Sequence, residues 1–398
     1  MRGGRRFSLV DWLKVLGVAL PAGALAPGAG AQDILVKRID EAPDWTPAQY
    51  QDAQPLDLPL ASVMAEELLE RQDAGEPPAE VQVSAEGRDV PERQAIAADP
   101  DARLFPESPE EDPDLADPDG SGIETRAIEV PEPRDAGAAQ AYFSSSRLIP
   151  SDARHHYPYR TVGKLFLSIQ GAGGFICSGA VIRPRLILTA GHCVHAGSGG
   201  VAGFFESFVF VPAYDQGNAP FRAWAATVVW TTESWGNSGG VIPNLADFAI
   251  IEVRDQVFRE QGRKVRKRIG DVTGYLGYRT NGLLPNHTKQ LGYPANHDFG
   301  EIMHQVDSQH FVPFDQGTVL YGNDMEGGSS GGPRVENFGS KAVGQTDGLA
   351  PFPNSVVRVT SFGFVPPSPD FKLSGSSTLN DEFLVLVQAA CGRIADNC

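Results

Sequence analysis

Apolar residues recur in short runs from about residue 146 to the C-terminus. The runs cover residues 164–169, 179–188, 208–212, 225–230, 248–253 and 356–360. Glycine, proline, asparagine and aspartate separate them, a pattern typical of short strands joined by turns. This pattern predicts an all-β domain, either a barrel or a sandwich. One helix is predicted near the end, over residues 381–387, with Asn380 as its N-cap and two acidic residues in its first turn.

Residues 1–31 have the pattern of a signal peptide. Three arginines form a positive start, at positions 2, 5 and 6, and an apolar run begins at Val15. Small residues at Ala29 and Ala31 form a cleavage site before Gln32. The apolar run is shorter than the roughly 20 residues that span a bilayer. We therefore expect a secreted protein, extracellular or periplasmic, without a membrane anchor.

Residues 32–147 form an acidic, proline-rich stretch. Residues 32–150 hold 28 acidic and 9 basic residues, whereas residues 151–398 hold 21 acidic and 20 basic ones. With few aromatics, such a stretch buries too little apolar area to offset its chain entropy. It is interpreted as a largely disordered pro-segment, with one amphipathic helix over residues 62–71 and a solvated acidic turn over residues 117–122.

A basic run, residues 263–268, stands out within the near-neutral remainder of the chain. It is interpreted as a solvated loop or as a docking patch for the acidic pro-segment. In the second case the pro-segment acts as an intramolecular inhibitor whose contact weakens with salt. Because the domain has no broad basic surface, nucleic acid is not an expected partner.

The chain has four cysteines, Cys177, Cys193, Cys391 and Cys398. An even count after an export signal favours two disulfides, and we expect the two sequence-local pairs, Cys177–Cys193 and Cys391–Cys398. Free thiols and a metal site are the alternatives. No CxxC pair or HExxH helix supports a metal, so neither a metal nor another cofactor is expected.

Three motifs contain candidate catalytic residues. The apolar residues 186–188 lead through small residues to His192 and Cys193, which places an imidazole at a strand end. Asp247 precedes another apolar run, where a buried carboxylate can orient that imidazole. A glycine-rich Gly-x-Ser-Gly-Gly sequence surrounds both Ser238 and Ser330, and its glycines allow a tight turn that exposes a hydroxyl and aims N–H groups at an oxyanion.

Together, residues 189–193, 247–250 and 328–333 resemble the three signatures of trypsin-like serine peptidases. Residues 148–154, 291–294 and 319–330 further resemble the bacterial glutamyl-endopeptidase branch. The resemblance covers about residues 147–390 and implies two six-stranded antiparallel β-barrels with the active site between them, followed by the C-terminal helix. It places the peptidase domain at residues 148–398, acting as a monomer on protein or peptide substrates.

The resemblance also implies the role of each residue. The order His, Asp, Ser along the chain selects His192, Asp247 and Ser330 as the catalytic triad and leaves Ser238 as a loop serine. The backbone N–H groups of Gly328 and Ser330 form the oxyanion hole. A catalytically inactive homologue that serves as a binding module is the alternative, and such a homologue usually lacks a triad residue.

Substrate preference depends on the predicted pocket. Asp324 lies six residues before Ser330, where trypsin holds a carboxylate that binds Arg or Lys, and Ser361 and Gly363 belong to the strand that lines such a pocket. A solvated turn is the alternative for Asp324. Preference for Glu or for apolar residues also stays open, although Met325 replaces the hydroxyl residue of glutamyl enzymes and no histidine follows Ser330. Arg147, just before the expected mature start, predicts self-processing if cleavage follows Arg.

Overall fold

A computed structural model describes residues 34–41, 43–61, 83–91, 95–99, 101–105, 141–260, 262–282, 286–339, 352–364 and 372–398. The expected signal peptide, the helix predicted over residues 62–71 and the acidic turn at residues 117–122 lie outside these ranges.

Parts of the acidic segment form short elements that pack on the domain after it. They are β1 (Ile34–Arg38), α1 (Pro47–Gln51), β2 (Gln54–Pro55), β3 (Leu60–Ala61), β4 (Ser84–Ala85) and β5 (Phe143–Arg147). A few apolar side chains hold the segment in place. The rings of Trp45 and Tyr50 lie 5.9 and 5.0 Å from the ring of Phe166, in edge-on contacts. These anchors are too few to change the average composition, which is why composition alone does not predict this packing.

Six antiparallel strands close into the first barrel. They are β6 (Val162–Ile169), β7 (Gly173–Val181), β8 (Leu186–Thr189), β9 (Ser207–Pro212), β10 (Trp224–Thr232) and β11 (Ala249–Val253). Around the barrel the order is β10, β11, β8, β7, β6 and β9, and the pairing of β9 with β10 closes it. Leu165, Phe210 and Trp224 are fully buried in a core of this barrel. From the N-terminal segment, β1 pairs with β10 and β2 with β7.

The second barrel also has six antiparallel strands. After a hairpin of β12 (Gln256–Glu260) and β13 (Arg263–Lys267) and the short β14 (Gly277–Arg279), the barrel strands are β15 (His287–Gly292), β16 (His304–Pro313), β17 (Thr318–Gly322), β18 (Pro333–Glu336), β19 (Ser355–Phe364) and β20 (Leu373–Thr378). The order around the barrel is β18, β15, β16, β17, β20 and β19, with β19 paired back to β18. The expectation of two six-stranded barrels is confirmed.

Five of the six predicted strand runs fall on single strands, and one does not. Residues 179–188 were predicted as one run, but β7 ends at Val181 and β8 begins at Leu186. A tight turn separates them, with the amide of Ile182 donating to the carbonyl of Leu186 at 2.9 Å. The turn contains Arg183, Pro184 and Arg185, so two charged residues and a proline mark the break that the predicted run passed over.

The predicted C-terminal helix forms and is longer than expected. α4 spans Asp381–Arg393, and the Asn380 side chain accepts from the amide of Phe383 at 3.2 Å. Its buried residues, Phe383, Leu386, Val387 and Ala390, follow helical spacing beyond the predicted end. The other helices, α2 (Glu233–Gly236) and α3 (Ile269–Thr273), are short. Within the described part of the chain, no helix is long and apolar enough to cross a membrane.

The basic run at residues 263–268 is a strand and not a loop. Residues 263–267 form β13, which pairs with β12 along its whole length. Its described ion pairs are local: Lys267 contacts Glu260 at 2.7 Å, and Arg268 contacts Asp271 at 2.7 Å. Arg263, Lys264 and Arg266 are exposed and Val265 is half-buried, as in a two-stranded ribbon on the surface.

Both expected disulfides are present. Cys177 in β7 is bonded to Cys193, and Cys391 in α4 to Cys398. The first ties the turn that follows β8 to the neighbouring strand β7. The second ties the last turn of α4 to the C-terminal residue.

Candidate active site

His192 lies in the turn that follows β8. A single 3-10 turn, Gly191–Cys193, ends the strand, and the disulfide from Cys193 to Cys177 fixes it. The glycine is required here, because a Cβ on Gly191 would lie 2.9 Å from the ring of Trp235. The indole in turn donates to the carbonyl of His195 at 3.1 Å, which holds it under the turn.

Asp247 lies just before β11 and is completely buried. Its Oδ1 accepts from the backbone amide of His192 at 2.8 Å, and its Oδ2 lies 2.8 Å from His192 Nδ1. The hydroxyl of Ser361 donates to Oδ2 at 2.5 Å. The carboxylate therefore contacts the backbone amide and the ring Nδ1 of His192, and Nε2 is left as the unbonded ring nitrogen.

Ser330 lies in the loop between β17 and β18 and is also buried. The loop approaches the His192 turn closely at Gly331, which has a φ of +75°. A Cβ on Gly331 would lie 2.6 Å from the amide nitrogen of Ala190. Ser330 Oγ and His192 Nε2 are both buried, and neither has a hydrogen-bond partner among the described residues. Hydrogen bonds between catalytic side chains are often long without substrate and tighten only when substrate binds.

Ser178 holds the loop before Ser330 in place, a role that the sequence did not reveal. Its hydroxyl donates to the carbonyl of Gly328 at 2.8 Å and accepts from the amide of Tyr293 at 2.9 Å. Gly328 has a φ of +89°, which favours glycine. The amide of Gly328, the expected oxyanion-hole donor, donates at 3.1 Å to the carbonyl of Leu56 in the N-terminal segment.

The two residues predicted on the pocket strand have different surroundings. The Ser361 hydroxyl contacts Asp247, as described above. The Gly363 amide donates at 2.9 Å to the carbonyl of Pro59, again in the N-terminal segment. Sequence reasoning placed both residues correctly on the strand β19 but gave no sign of the segment beside it.

Asp324 is not the solvated turn residue of the alternative interpretation, because its side chain is only 18% exposed. Its Oδ2 lies 3.1 Å from Nε2 of His297. Burial raises the pKa of Asp324, but hydrogen bonds from His297 and Ser145 outweigh it and hold the pKa below its usual value. The hydrogen bond with Asp324 raises the pKa of His297 against the opposing effect of burial. The carboxylate thus already has a partner within the protein, which is cationic when the His297 imidazole is protonated.

The bond after Arg147 is held within a paired strand. Arg147 ends β5 opposite His304 in β16, and its Nε donates to Asp298 at 3.0 Å. The next amide, of Leu148, donates to the carbonyl of Met303 at 3.0 Å, and the Leu148 side chain is buried. Cleavage there requires β5 to leave the sheet first.

The described hydrogen bonds of Ser238 do not involve His192 or Asp247. Its hydroxyl donates to the carbonyl of Trp235 at 2.8 Å and accepts from the amide of Gly240 at 3.1 Å. This is a local turn after α2, as expected for a loop serine.

Within the described ranges, Cys177, His192 and Cys193 bring metal-ligating atom types close together. Both sulfurs are joined in a disulfide, whereas zinc and similar metals bind the free thiolate. The group therefore does not fit a metal.

The two six-stranded antiparallel barrels have the arrangement of the trypsin-like fold. No family model matches the chain. The chain is similar to a glutamyl endopeptidase of Bacillus licheniformis, with 27% identity over 216 residues that cover 51% of this chain and 59% of that protein. An extracellular metalloprotease of Bacillus subtilis is 23% identical over 197 residues, 48% of this chain and 55% of that protein.

Among solved structures, the thermostable serine protease AL20 from an extremophilic microorganism is 24% identical, with a TM-score of 0.48 over 62% of this chain and 100% of that one. A Glu endopeptidase in complex with MPD is 19% identical, with a TM-score of 0.46 over 63% of this chain and 97% of that one. The chain spans less than two thirds of the two curated relatives named above. The expected resemblance to glutamyl-endopeptidase-like peptidases is confirmed.

Proposed function

We propose that the chain is a serine endopeptidase with His192, Asp247 and Ser330 as its catalytic triad. The observation that carries the proposal is the double contact of buried Asp247 with His192, next to the buried and unbonded hydroxyl of Ser330. An inactive homologue used as a binding module has no need of this arrangement. The similarity to the glutamyl endopeptidase supports the same class of reaction.

In the proposed reaction the three side chains act in turn. Ser330 Oγ attacks the scissile carbonyl carbon while His192 Nε2 takes the hydroxyl proton. The carbonyl oxygen becomes an oxyanion, which the amides of Gly328 and Ser330 stabilise. His192 then gives its proton to the leaving amine, and the acyl group stays on Ser330. Water, deprotonated by His192, releases the acid and restores the hydroxyl.

We further propose preference for Arg or Lys before the cut, since Asp324 is a mostly buried carboxylate with a lowered pKa. Preference for Glu is the second candidate. It is favoured by the name of the Bacillus licheniformis relative and by His297, which already pairs with Asp324.

We also propose export of the chain as a precursor, with residues 1–31 as signal peptide and 32–147 as pro-segment. The two disulfides favour an oxidising compartment.

The test is a digest of a diverse peptide mixture by the purified wild-type protein and by its Ser330→Ala variant, with all cuts mapped by mass spectrometry. The proposal expects cuts that appear with the wild type and not with the variant. Cuts mainly after Arg and Lys support Asp324 as the pocket base, and cuts mainly after Glu support the second candidate. A wild type with its pro-segment removed that cuts nothing contradicts the peptidase function.

A further inference from the structure

Residues 54–61, here called the cleft strand, pass directly over the candidate active site. The amide of Leu56 donates to the carbonyl of Ile176 in β7 at 3.0 Å. The carbonyl of Leu56 accepts from the amide of Gly328 at 3.1 Å, and the carbonyl of Pro59 accepts from Gly363 at 2.9 Å. One stretch of chain therefore occupies the proposed oxyanion donor and the pocket strand at once.

The cleft strand runs in the direction opposite to that of a substrate. A substrate places the side chain of the residue that carries the scissile carbonyl in the pocket, so the residues before the cut lie along the pocket strand and those after it lie on the other side. In the cleft strand, residues that follow the Leu56 carbonyl lie along β19, and β3 runs parallel to it, with Leu60 opposite Gly363. Residues that precede this carbonyl lie along β7. The Leu56 carbonyl thus contacts the proposed oxyanion donor, Gly328, while the peptide nitrogen bonded to it, that of Asp57, lies on the pocket side. In a substrate the leaving nitrogen lies on the opposite side, so this peptide bond is not placed for acyl transfer.

Apolar packing and backbone hydrogen bonds hold the cleft strand. Leu58 and Ala61 are buried, and Ala61 belongs to a cluster with Phe362 and Phe364 of β19. The segment is also anchored before the cleft by Trp45 and Tyr50, which keeps the strand at high effective concentration. Because no ion pair between the cleft strand and the barrels is among the described contacts, this contact should not weaken with salt, unlike docking on the basic run.

We propose that the cleft strand keeps the peptidase latent by binding its active site in reverse, as an inhibitor that the enzyme does not cleave. This inference rests on the proposed function and adds its regulation. Activation then requires the cleft strand to leave Gly328 and Gly363, whatever the site of cleavage in the pro-segment.

The test measures how fast a fluorophosphonate probe labels Ser330 in the uncut full-length protein, with the labelled residue confirmed by mass spectrometry. We compare the wild type with a Leu58→Asp, Ala61→Asp double variant, which places two charges in apolar contacts. A second variant replaces residues 54–61 by eight glycine and serine residues. The control is Leu104→Asp, Phe105→Asp, since these residues dock the same segment elsewhere, Phe105 being beside Gly217.

We expect the wild type and the control to label slowly, and both cleft-strand variants to label at least about tenfold faster, with no change in the wild type at 1 M NaCl. A wild type that labels as fast as the variants overturns the inference and leaves the proposed function standing. A large gain for the wild type at high salt also overturns it, in favour of charged docking. If the cleft-strand variants are folded by circular dichroism and none of them labels at Ser330, the proposed function itself fails.

Discussion

The hydroxyl of Ser361 and the carboxylate of Asp247 form a 2.5 Å hydrogen bond that joins the two barrels at the candidate active site. Ser361 belongs to β19 of the second barrel, and Asp247 leads into β11 of the first. The oxygen that accepts this bond is the one that contacts His192 Nδ1 at 2.8 Å. The orientation of the imidazole therefore depends on both barrels and on the way they meet.

This relationship predicts the effect of Ser361→Ala. A buried hydrogen bond to a charged group contributes about 1.5 kcal/mol, so we expect kcat to fall about tenfold while KM changes little. The measurement is steady-state kinetics on a peptide substrate. The control is Ser168→Ala, which removes a hydroxyl bonded to Ser207 at 2.7 Å in the first barrel. Equal losses in both variants would contradict a specific contribution of Ser361 to the orientation of Asp247.

The assignment of the nucleophile predicts that Ser330→Ala and Ser238→Ala differ sharply. Removal of a triad serine costs several orders of magnitude, so we expect kcat/KM to fall at least about 1,000-fold for Ser330→Ala. We expect less than about a twofold change for Ser238→Ala, since its hydroxyl bonds within its own turn. Peptide hydrolysis by proteins of equal circular dichroism decides the matter, and full activity in Ser330→Ala would show that another nucleophile acts.

The first barrel was more predictable from the sequence than the second. Its strands β6, β9, β10 and β11 carry apolar runs that fill a large apolar cluster, although Lys164 and Glu252 are also buried there. The second barrel has polar groups inside. Arg334 is fully buried, lies 4.0 Å from the ring of Tyr321 and donates to serine hydroxyls of β16 and β20. Strands such as β20, with the sequence LSGSST, therefore lack the apolar pattern that predicts a strand.

The site was predictable wherever a short motif fixes the local backbone. Gly191 and Gly331 allow close approach of the two loops, and each is adjacent to a residue of the proposed triad. The contacts of Ser178 and Leu56 were not predictable, because each joins residues far apart in the chain. No local pattern distinguishes the buried Ser178 hydroxyl from an ordinary strand serine.

The two disulfides predict different losses of stability. In the chain-entropy model, a sequence separation of 16 residues for Cys177–Cys193 corresponds to about 3 kcal/mol, and a separation of 7 for Cys391–Cys398 to about 2 kcal/mol. We expect double Cys→Ala variants to lose these amounts in urea unfolding. Activity should fall mainly in the first variant, since Cys193 adjoins His192. A larger loss of activity on removal of the second disulfide would contradict this expectation.

The contact between His297 and Asp324 predicts a pH-dependent contribution to stability. The raised pKa of His297 means that its contribution is fully present below the unfolded value of about 6.5 and is lost as pH rises through the folded value. The lowered pKa of Asp324 means that its contribution is present above about 3.9 and is lost as pH falls through the folded value. The pair should therefore stabilise the protein most between about pH 4 and pH 6.5.

Its measurement compares thermal unfolding of His297→Gln with that of the parent, both in a Ser330→Ala background that prevents self-digestion. We expect the parent Tm to be higher by about 2 °C at pH 5.5 and the two values to converge by about pH 8.5, because a partly exposed ion pair contributes at most about 1 kcal/mol. His304, stacked 5.0 Å from His297, has a pKa lowered mainly by burial and also by the charge of His297, so its titration has to be followed in both proteins. His287→Gln, at an exposed position in β15, should show no such pH dependence. A Tm difference that stays constant from pH 5.5 to 8.5 would mean that His297 acts through packing and not through its charge.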